Sequence, residues 1–204
     1  EACEGLAGVS SSQIEMNANL QFYDSMSTGE IQEILIRSAN DLISLDAPNY
    51  QYAAARLLSY GISKQVFGKF EPIPFKEMIT KNIERGLYDP AILDSYTDEE
   101  LSSLDSYIKH KRDENFTYAG LRQVADKYLV QDRSTGEIFE TPQFMYMMIA
   151  ATLFANYPAE TRMHYVRRYY DATSLFKVNI PTPVMAGVRT PVRQFASCVL
   201  VDSD

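Results

Sequence analysis

The sequence predicts a mainly α-helical protein, and three observations support that fold class. Apolar residues recur at steps of three and four along most of the 204-residue chain, which gives each helix one apolar face. Ser27 with Glu30, and Thr97 with Glu100, have the spacing of a capping box at a helix start. Two short apolar runs around a polar turn that contains Gly136 predict one small hairpin.

Two packed helices are predicted in the first 70 residues. Between residues 11 and 44 the apolar residues follow the helical repeat, and the first capping box starts this helix. Pro48 breaks the pattern, and a second helix is predicted for residues 50–67. Pro72 and Pro74 each remove a hydrogen-bond donor and disfavour helix before them, so we expect a domain boundary near residue 70.

Further helices are predicted beyond this boundary, at residues 75–87, 97–112, 118–128 and 160–175. Thr141 and Pro142 open one more helix, whose residues 144–155 are apolar nearly all round. Such a helix is typical of the interior of a larger protein, so we expect the chain alone to be marginally stable, because this helix would lose packing partners. From residue 180 the chain is predicted to be extended and turn-rich, and residues 198–201 predict a strand.

Composition excludes several classes of protein. The chain is 46% hydrophobic and 23% charged, which is enough to bury a core. No stretch approaches the roughly 20 apolar residues that span a bilayer and no signal peptide opens the chain, so we expect a cytoplasmic protein without membrane contact. A net charge of -8 argues against a general nucleic-acid surface. Cys3 and Cys198 are too few for a secreted disulfide scaffold and lack metal-ligand spacing.

The familiar catalytic motifs are absent from the sequence. There is no phosphate-binding P-loop, no dinucleotide-binding glycine pattern and no pair of metal-binding histidines. His110 and His164 lie on charged stretches predicted to be helical, and we interpret each as a solvated surface residue.

The segment from residue 181 to residue 198 combines prolines, hydroxyl side chains and two arginines, Arg189 and Arg193, without helical or strand period. Its hydroxyls, backbone N–H groups and arginines could bind an anionic ligand. It could equally be an ordered connecting loop whose arginines pair with local carboxylates. Cys198 is read locally as a small core residue, and a redox role needs a second sulfur within bonding distance.

The same segment resembles the one that introduces the catalytic barrel in large subunits of class I ribonucleotide reductases. It ends in Arg-Thr-Pro-Val-Arg-Gln-Phe-Ala-Ser-Cys, at residues 189–198. Other stretches resemble the family in the same order, at residues 47–56, 67–72, 127–130 and 136–138. The resemblance covers essentially the whole chain, and an aperiodic match of this length is far more specific than a lone short motif.

The resemblance implies a function. The family reduces ribonucleoside diphosphates by thiyl-radical chemistry, with the radical supplied by a metal-containing small subunit and the electrons by a cysteine pair that thioredoxin or glutaredoxin re-reduces. By similarity, Thr182 and Ser197 contact the nucleoside diphosphate, and Cys198 is one of the two cysteines oxidised in each turnover. The second redox cysteine is not expected in this chain, and no cofactor is expected to bind it directly.

The N-terminal helices resemble the ATP-cone, the domain through which ATP activates and dATP inhibits the family's enzymes. Thr28 and Lys64 match nucleotide contacts there, and a hydroxyl with an ammonium suits a triphosphate. Read locally, Thr28 is a helix-capping residue and Lys64 a solvated charge. The glycine-containing β segment that completes the family's pocket is expected before Glu1.

The resemblance therefore divides the chain into three parts: an incomplete ATP-cone at residues 1–70, a helical N-terminal region at 71–180, and the first strand of a ten-stranded α/β barrel at 181–204. The remaining catalytic groups are expected in the remainder of the large subunit, so this stretch alone is expected to be inactive. The alternative is a non-catalytic helical module that binds a nucleotide or a partner protein.

Overall fold

A computed structural model describes residues 1–192, 195, 196, 198 and 200 of the chain. These residues divide between two compact units. Unit 1 comprises Glu1–Pro72 and Lys111–Asp126, and unit 2 comprises Ile73–His110 and Lys127–Asp204. Both units are mainly helical, so the predicted fold class is confirmed at that level.

Most helices begin and end close to the predicted positions, but residues 11–44, predicted as one helix, form two helices, α1 and α2, separated by residues 20–27. Both capping boxes form. The side chains of Ser27 and Thr97 accept from the backbone N–H groups of Glu30 and Glu100, and the carboxylates of Glu30 and Glu100 accept from the backbone N–H groups of Ser27 and Thr97. The short helix α5 was not predicted. In chain order the described helices are α1 (Ser11–Asn19), α2 (Thr28–Asp41), α3 (Tyr50–Phe67), α4 (Phe75–Glu84), α5 (Ala91–Ser95), α6 (Asp98–Tyr107), a 3-10 helix (His110–Asn115), α7 (Tyr118–Lys127), α8 (Pro142–Phe154), α9 (Ala159–Ser174) and α10 (Thr182–Gly187).

Unit 1 is built on the packing of α2 against α3. Ala53 and Ala54 of α3 are fully buried, and their small side chains permit close approach to neighbouring helices. The Gln32 side chain of α2 donates to the carbonyl of Leu57 at 2.6 Å, which links the two helices by a polar contact. Cys3 packs against this core, and burial raises the pKa of its thiol.

Helix α8 lies at the centre of unit 2. Every residue from Pro142 to Ala151 is buried, and the Phe144 ring stacks on the Phe75 ring at 5.5 Å. The expectation that this helix would lack packing partners in the chain alone is therefore wrong, because unit 2 supplies them. The helix has 13 residues, and no helix in the described ranges combines the length and apolar character that crossing a membrane requires.

His110 also contacts α8. Its ring meets the Phe144 ring edge-on at 5.1 Å, and burial lowers the pKa of His110 to about 4. The interpretation of His110 as a solvated residue is wrong, because its imidazole packs against the Phe144 ring and is largely removed from solvent. His164 is exposed, as predicted.

The predicted hairpin is reduced to a tight turn with a single antiparallel bridge between Gln131 and Ile138. Two further backbone bonds flank the bridge, from the Asp132 N–H to the Glu137 carbonyl at 2.8 Å and from the Phe139 N–H to the Val130 carbonyl at 2.9 Å. Among the described residues there is no strand longer than this one bridge. The strand expected at 198–201 falls largely outside them and stays a prediction.

The chain after residue 180 departs from its prediction as extended. Residues Thr182–Gly187 form α10, with Pro181 at the N-cap and Pro183 in the first turn. Proline is tolerated in a first turn because the N–H that it lacks would have no partner within the helix. The prolines therefore start a helix here, in a segment that was predicted to be extended.

Candidate functional site

Unit 2 contains a cavity of about 550 Å³, and Thr182 is one of the residues that line it. Its walls come from three segments: the turn after α4, which includes Gly86, the chain at Tyr128 to Val130, and α10 with the residues after it. Ala196, two positions before Cys198, also lines the cavity. A volume of this size is in the range that small-molecule sites occupy.

Thr182 is the first residue of α10, and its side chain is exposed. Its Oγ1 lies 3.2 Å from the hydroxyl oxygen of Tyr128, and either group can donate. The exposed Thr182 hydroxyl therefore stands beside a phenol at the cavity wall, and both can donate to or accept from a polar ligand.

A buried ion pair holds this wall in place. Arg189 is 1% exposed and Glu140 is fully buried, and the guanidinium forms an ion pair with the carboxylate. The Tyr88 hydroxyl also donates to Glu140. Burial, followed by the charge of Glu140, raises the pKa of Tyr88 well above its usual value, so this phenol stays protonated.

The pair joins α10 to the chain on the other side of the cavity. Arg189 donates through Nη2 to the carbonyl of Tyr128 at 2.7 Å and through Nη1 to the carbonyl of Met185 in α10. Glu140 accepts from the backbone N–H of Val130 at 2.8 Å. Two lining segments are thus fixed to one buried group, since a paired charge in the interior tolerates little displacement.

The arginines of this segment were predicted either to bind an anionic ligand or to pair with carboxylates of the protein, and Arg189 does the latter. It pairs with a carboxylate of the protein and is not exposed to a ligand. Glu140 and Tyr88 were not predicted as partners of Arg189, because they lie 49 and 101 positions from it and no local pattern connects them.

The two other candidate residues of this region are only partly described. Cys198 is exposed, which suits a thiol that exchanges with another protein. Ser197 lies outside the described residues, and its contact with substrate stays a prediction. The two cysteines have different surroundings, since Cys3 is half-buried against the core of unit 1.

The residues matched to the ATP-cone lie on the paired helices of unit 1. Thr28 is the first residue of α2, Lys64 lies in the last turn of α3, and both are exposed. The cap of α2 is supplied by Ser27, whose Oγ accepts from the Glu30 N–H at 3.2 Å, so Thr28 is not the capping residue. Nucleotide contact by Thr28 and Lys64 stays a prediction, as do the three domain assignments.

Comparison with known proteins identifies the relatives of this chain. Residues 114–193 match the family model described as "Ribonucleotide reductase, all-alpha domain". The chain is 53% identical over 201 residues to ribonucleoside-diphosphate reductase 1 subunit alpha of Salmonella typhimurium and 52% identical over 201 residues to that of Escherichia coli, in each case over 98% of this chain and 26% of the relative. It is 51% identical over 203 residues to the alpha subunit of Haemophilus influenzae, over 100% of this chain and 27% of that relative.

The chain thus spans about a quarter of the length of the curated relatives that it matches. The alignments cover 98–100% of this chain, so they take in nearly all of the residues that form the cavity and its buried ion pair. With the identity, the coverage and the domain match in agreement, this chain belongs to the family of ribonucleoside-diphosphate reductase alpha subunits.

Proposed function

We propose that this chain is part of a subunit that reduces ribonucleoside diphosphates to deoxyribonucleoside diphosphates for DNA precursor synthesis. The observation that carries the proposal is the cavity of unit 2, which Thr182 lines, in a chain half identical to reductase alpha subunits. Cytoplasmic placement remains a prediction.

Thr182 and Ser197 are proposed to bind the substrate. The exposed hydroxyl of Thr182, with the Tyr128 hydroxyl 3.2 Å away, supports this role, because both groups can donate to phosphate oxygens. The Arg189–Glu140 pair acts on this binding indirectly by fixing the wall.

Cys198 is proposed as one member of the redox pair. In the overall reaction two cysteine thiols supply two electrons and two protons and become a disulfide, while the ribose 2′-hydroxyl leaves as water. The exposure of Cys198 supports this role, because the disulfide must afterwards be reached by an external thiol such as thioredoxin or glutaredoxin.

The other participants follow from the same proposal. The remainder of the large subunit supplies the second cysteine and the thiyl radical, which a metal-containing small subunit generates. ATP and dATP regulate the activity of the subunit by binding in the region of Thr28 and Lys64. These two residues lie on adjoining helices of unit 1, which supports a shared effector site.

The test replaces the matching residues of the Escherichia coli alpha subunit with this chain and measures reduction of a nucleoside diphosphate with the small subunit and thioredoxin present. The hybrid subunit is expected to turn over. Cys198→Ser is expected to lower turnover by about a thousandfold or more, since it removes a reacting group.

Cys3→Ser is the matched control, since it removes the other thiol of this chain, which packs against the core of unit 1. Its turnover is expected to stay within about twofold of the unsubstituted hybrid. A folded hybrid without turnover, or equal turnover of both cysteine variants, would contradict the proposed function. The first result would favour the non-catalytic module.

A further inference from the structure

A second cavity in unit 2, of about 650 Å³, is formed by α9, the turn after it and the last residue of α6. It shares no residue with the cavity that Thr182 lines. Ionisable and aromatic side chains dominate its lining: Tyr107, His164, Arg167, Arg168, Asp171 and Lys177.

The charges in this cavity do not balance. Three permanent cations, Arg167, Arg168 and Lys177, face one carboxylate, Asp171, although the chain as a whole has 27 acidic and 19 basic residues. The Asp171 carboxylate already accepts from the Tyr107 hydroxyl at 2.6 Å. Neither Arg168 nor Lys177 forms an ion pair with any residue that the structure describes.

Arg167 has an unmet hydrogen-bonding group. Its Nη2 donates to the Ser103 hydroxyl at 2.6 Å, and its guanidinium lies over the Tyr107 ring, 5.1 Å from the ring centroid. These contacts fix the plane of the guanidinium. Its Nε–H is nevertheless buried without an acceptor among the described residues. A buried donor in a protein normally has a partner, so this guanidinium retains one unused donor beside the cavity.

The helix dipole does not account for this cluster. Cations favour the C-terminal end of a helix, but the effect is confined to the last turn. Helix α9 ends at Ser174, so Arg167 and Arg168 lie more than a turn before its end. Repulsion among the three cations is therefore offset only in part, by the Asp171 carboxylate and by the Tyr107 ring beneath Arg167.

We propose that this cavity binds the phosphate groups of a small polyphosphate anion, with diphosphate as the minimal ligand. Guanidinium groups bind phosphate oxygens in a bidentate manner, and the Lys177 ammonium adds a mobile point charge. A concave cavity of this volume suits a compact anion better than an extended acidic peptide, which needs a longer groove. The inference is independent of the function proposed for the Thr182 cavity.

Fluorescence offers a local test, because the chain has no tryptophan. His164→Trp places a single indole at the cavity, on an exposed position of α9. Titration of the His164→Trp chain with inorganic pyrophosphate is expected to give a saturable change below about 1 mM. Adding Arg168→Gln and Lys177→Gln is expected to weaken binding by at least about tenfold, since two charged partners of the anion are lost.

The matched control removes two charges elsewhere, with Lys69→Gln and Lys127→Gln, both exposed and without ion pairs among the described residues. It is expected to shift the dissociation constant by less than about twofold. Equal weakening by both pairs, no saturation up to about 10 mM pyrophosphate, or the same response to sulfate at equal ionic strength would overturn the proposal. Tripolyphosphate and a nucleoside triphosphate then separate the sources: tighter nucleotide binding identifies a nucleotide, and equal binding identifies the inorganic anion.

Discussion

Arg189 and Glu140 form an ion pair in the interior of unit 2, where neither side chain is exposed. Removing two charges from water costs several kcal/mol per ion, and the mutual attraction offsets this only when further hydrogen bonds complete the site. Here the Tyr88 hydroxyl and the Val130 N–H donate hydrogen bonds to the carboxylate, while the guanidinium donates to two backbone carbonyls. We infer that the pair fixes the position of α10 more than it adds net stability.

Glu140→Gln tests this pair. It keeps the side-chain shape but leaves the Arg189 charge without a counterion, so the free energy of unfolding is expected to fall by about 3–5 kcal/mol in urea denaturation. Glu137→Gln, on the exposed side of the same turn, is the control and is expected to change it by less than about 0.5 kcal/mol. A loss below about 1 kcal/mol for Glu140→Gln would show that the charge of Glu140 is dispensable.

His110 makes stability depend on pH. Burial lowers its pKa from 6.5 to about 4, so between these values the unfolded chain binds a proton that the folded chain excludes. The contribution is complete above pH 6.5 and is lost as the pH falls toward 4, by up to about 3 kcal/mol. In His110→Phe, the slope of unfolding free energy against pH is expected to flatten between about pH 4.5 and 6.5. The matched variant at the exposed histidine, His164→Phe, is expected to keep the slope, and an unchanged slope in His110→Phe would refute the assignment.

At the scale of the elements, local signals decide where helices begin. The capping boxes at Ser27 and Thr97 each satisfy two backbone N–H groups that the first turn leaves without partners, which is why α2 and α6 start where the sequence predicts. At the start of α6, Glu100 also forms an ion pair with Arg162 of α9. Glu100 thus caps its own helix, α6, and also contacts α9.

Thr97→Ala removes the side-chain acceptor of one capping box. The free energy of unfolding is expected to fall by about 1 kcal/mol, the usual effect of losing an N-cap. Ser102→Ala, at an exposed position in the middle of α6, is the control and is expected to have little effect because its hydroxyl caps nothing. Equal effects of the two substitutions in thermal denaturation would argue against a capping contribution.

These elements also show how far the sequence can be read. Helices α2, α3 and α8 were predictable because caps, prolines and apolar period lie within one short segment. The helical state of Thr182–Gly187 was not, since prolines both start and interrupt helices. The burial of Arg189 depends on Glu140, a residue distant in sequence, and no local pattern reveals such a pair. The role of Cys198 came from family resemblance alone.

At the scale of the whole molecule, the chain combines two helical units with different candidate roles. Unit 1 contains Thr28 and Lys64, and unit 2 contains the cavity lined by Thr182. Helix α8 is buried within unit 2, so that unit has a core of its own. A chain spanning about a quarter of its relatives thus contains one wall of the proposed substrate site, and the proposed reaction needs the rest of the subunit.

The most direct test of the account follows the oxidation state of Cys198 in the hybrid subunit. After one turnover of a nucleoside diphosphate without external reductant, thiols are alkylated and the protein is analysed by mass spectrometry. We predict that Cys198 is found in a disulfide in proportion to the product formed. Cys3 is expected to stay a thiol during turnover and therefore to be found alkylated. Product formation with Cys198 still fully alkylated would contradict the central claim that this cysteine supplies electrons to the substrate.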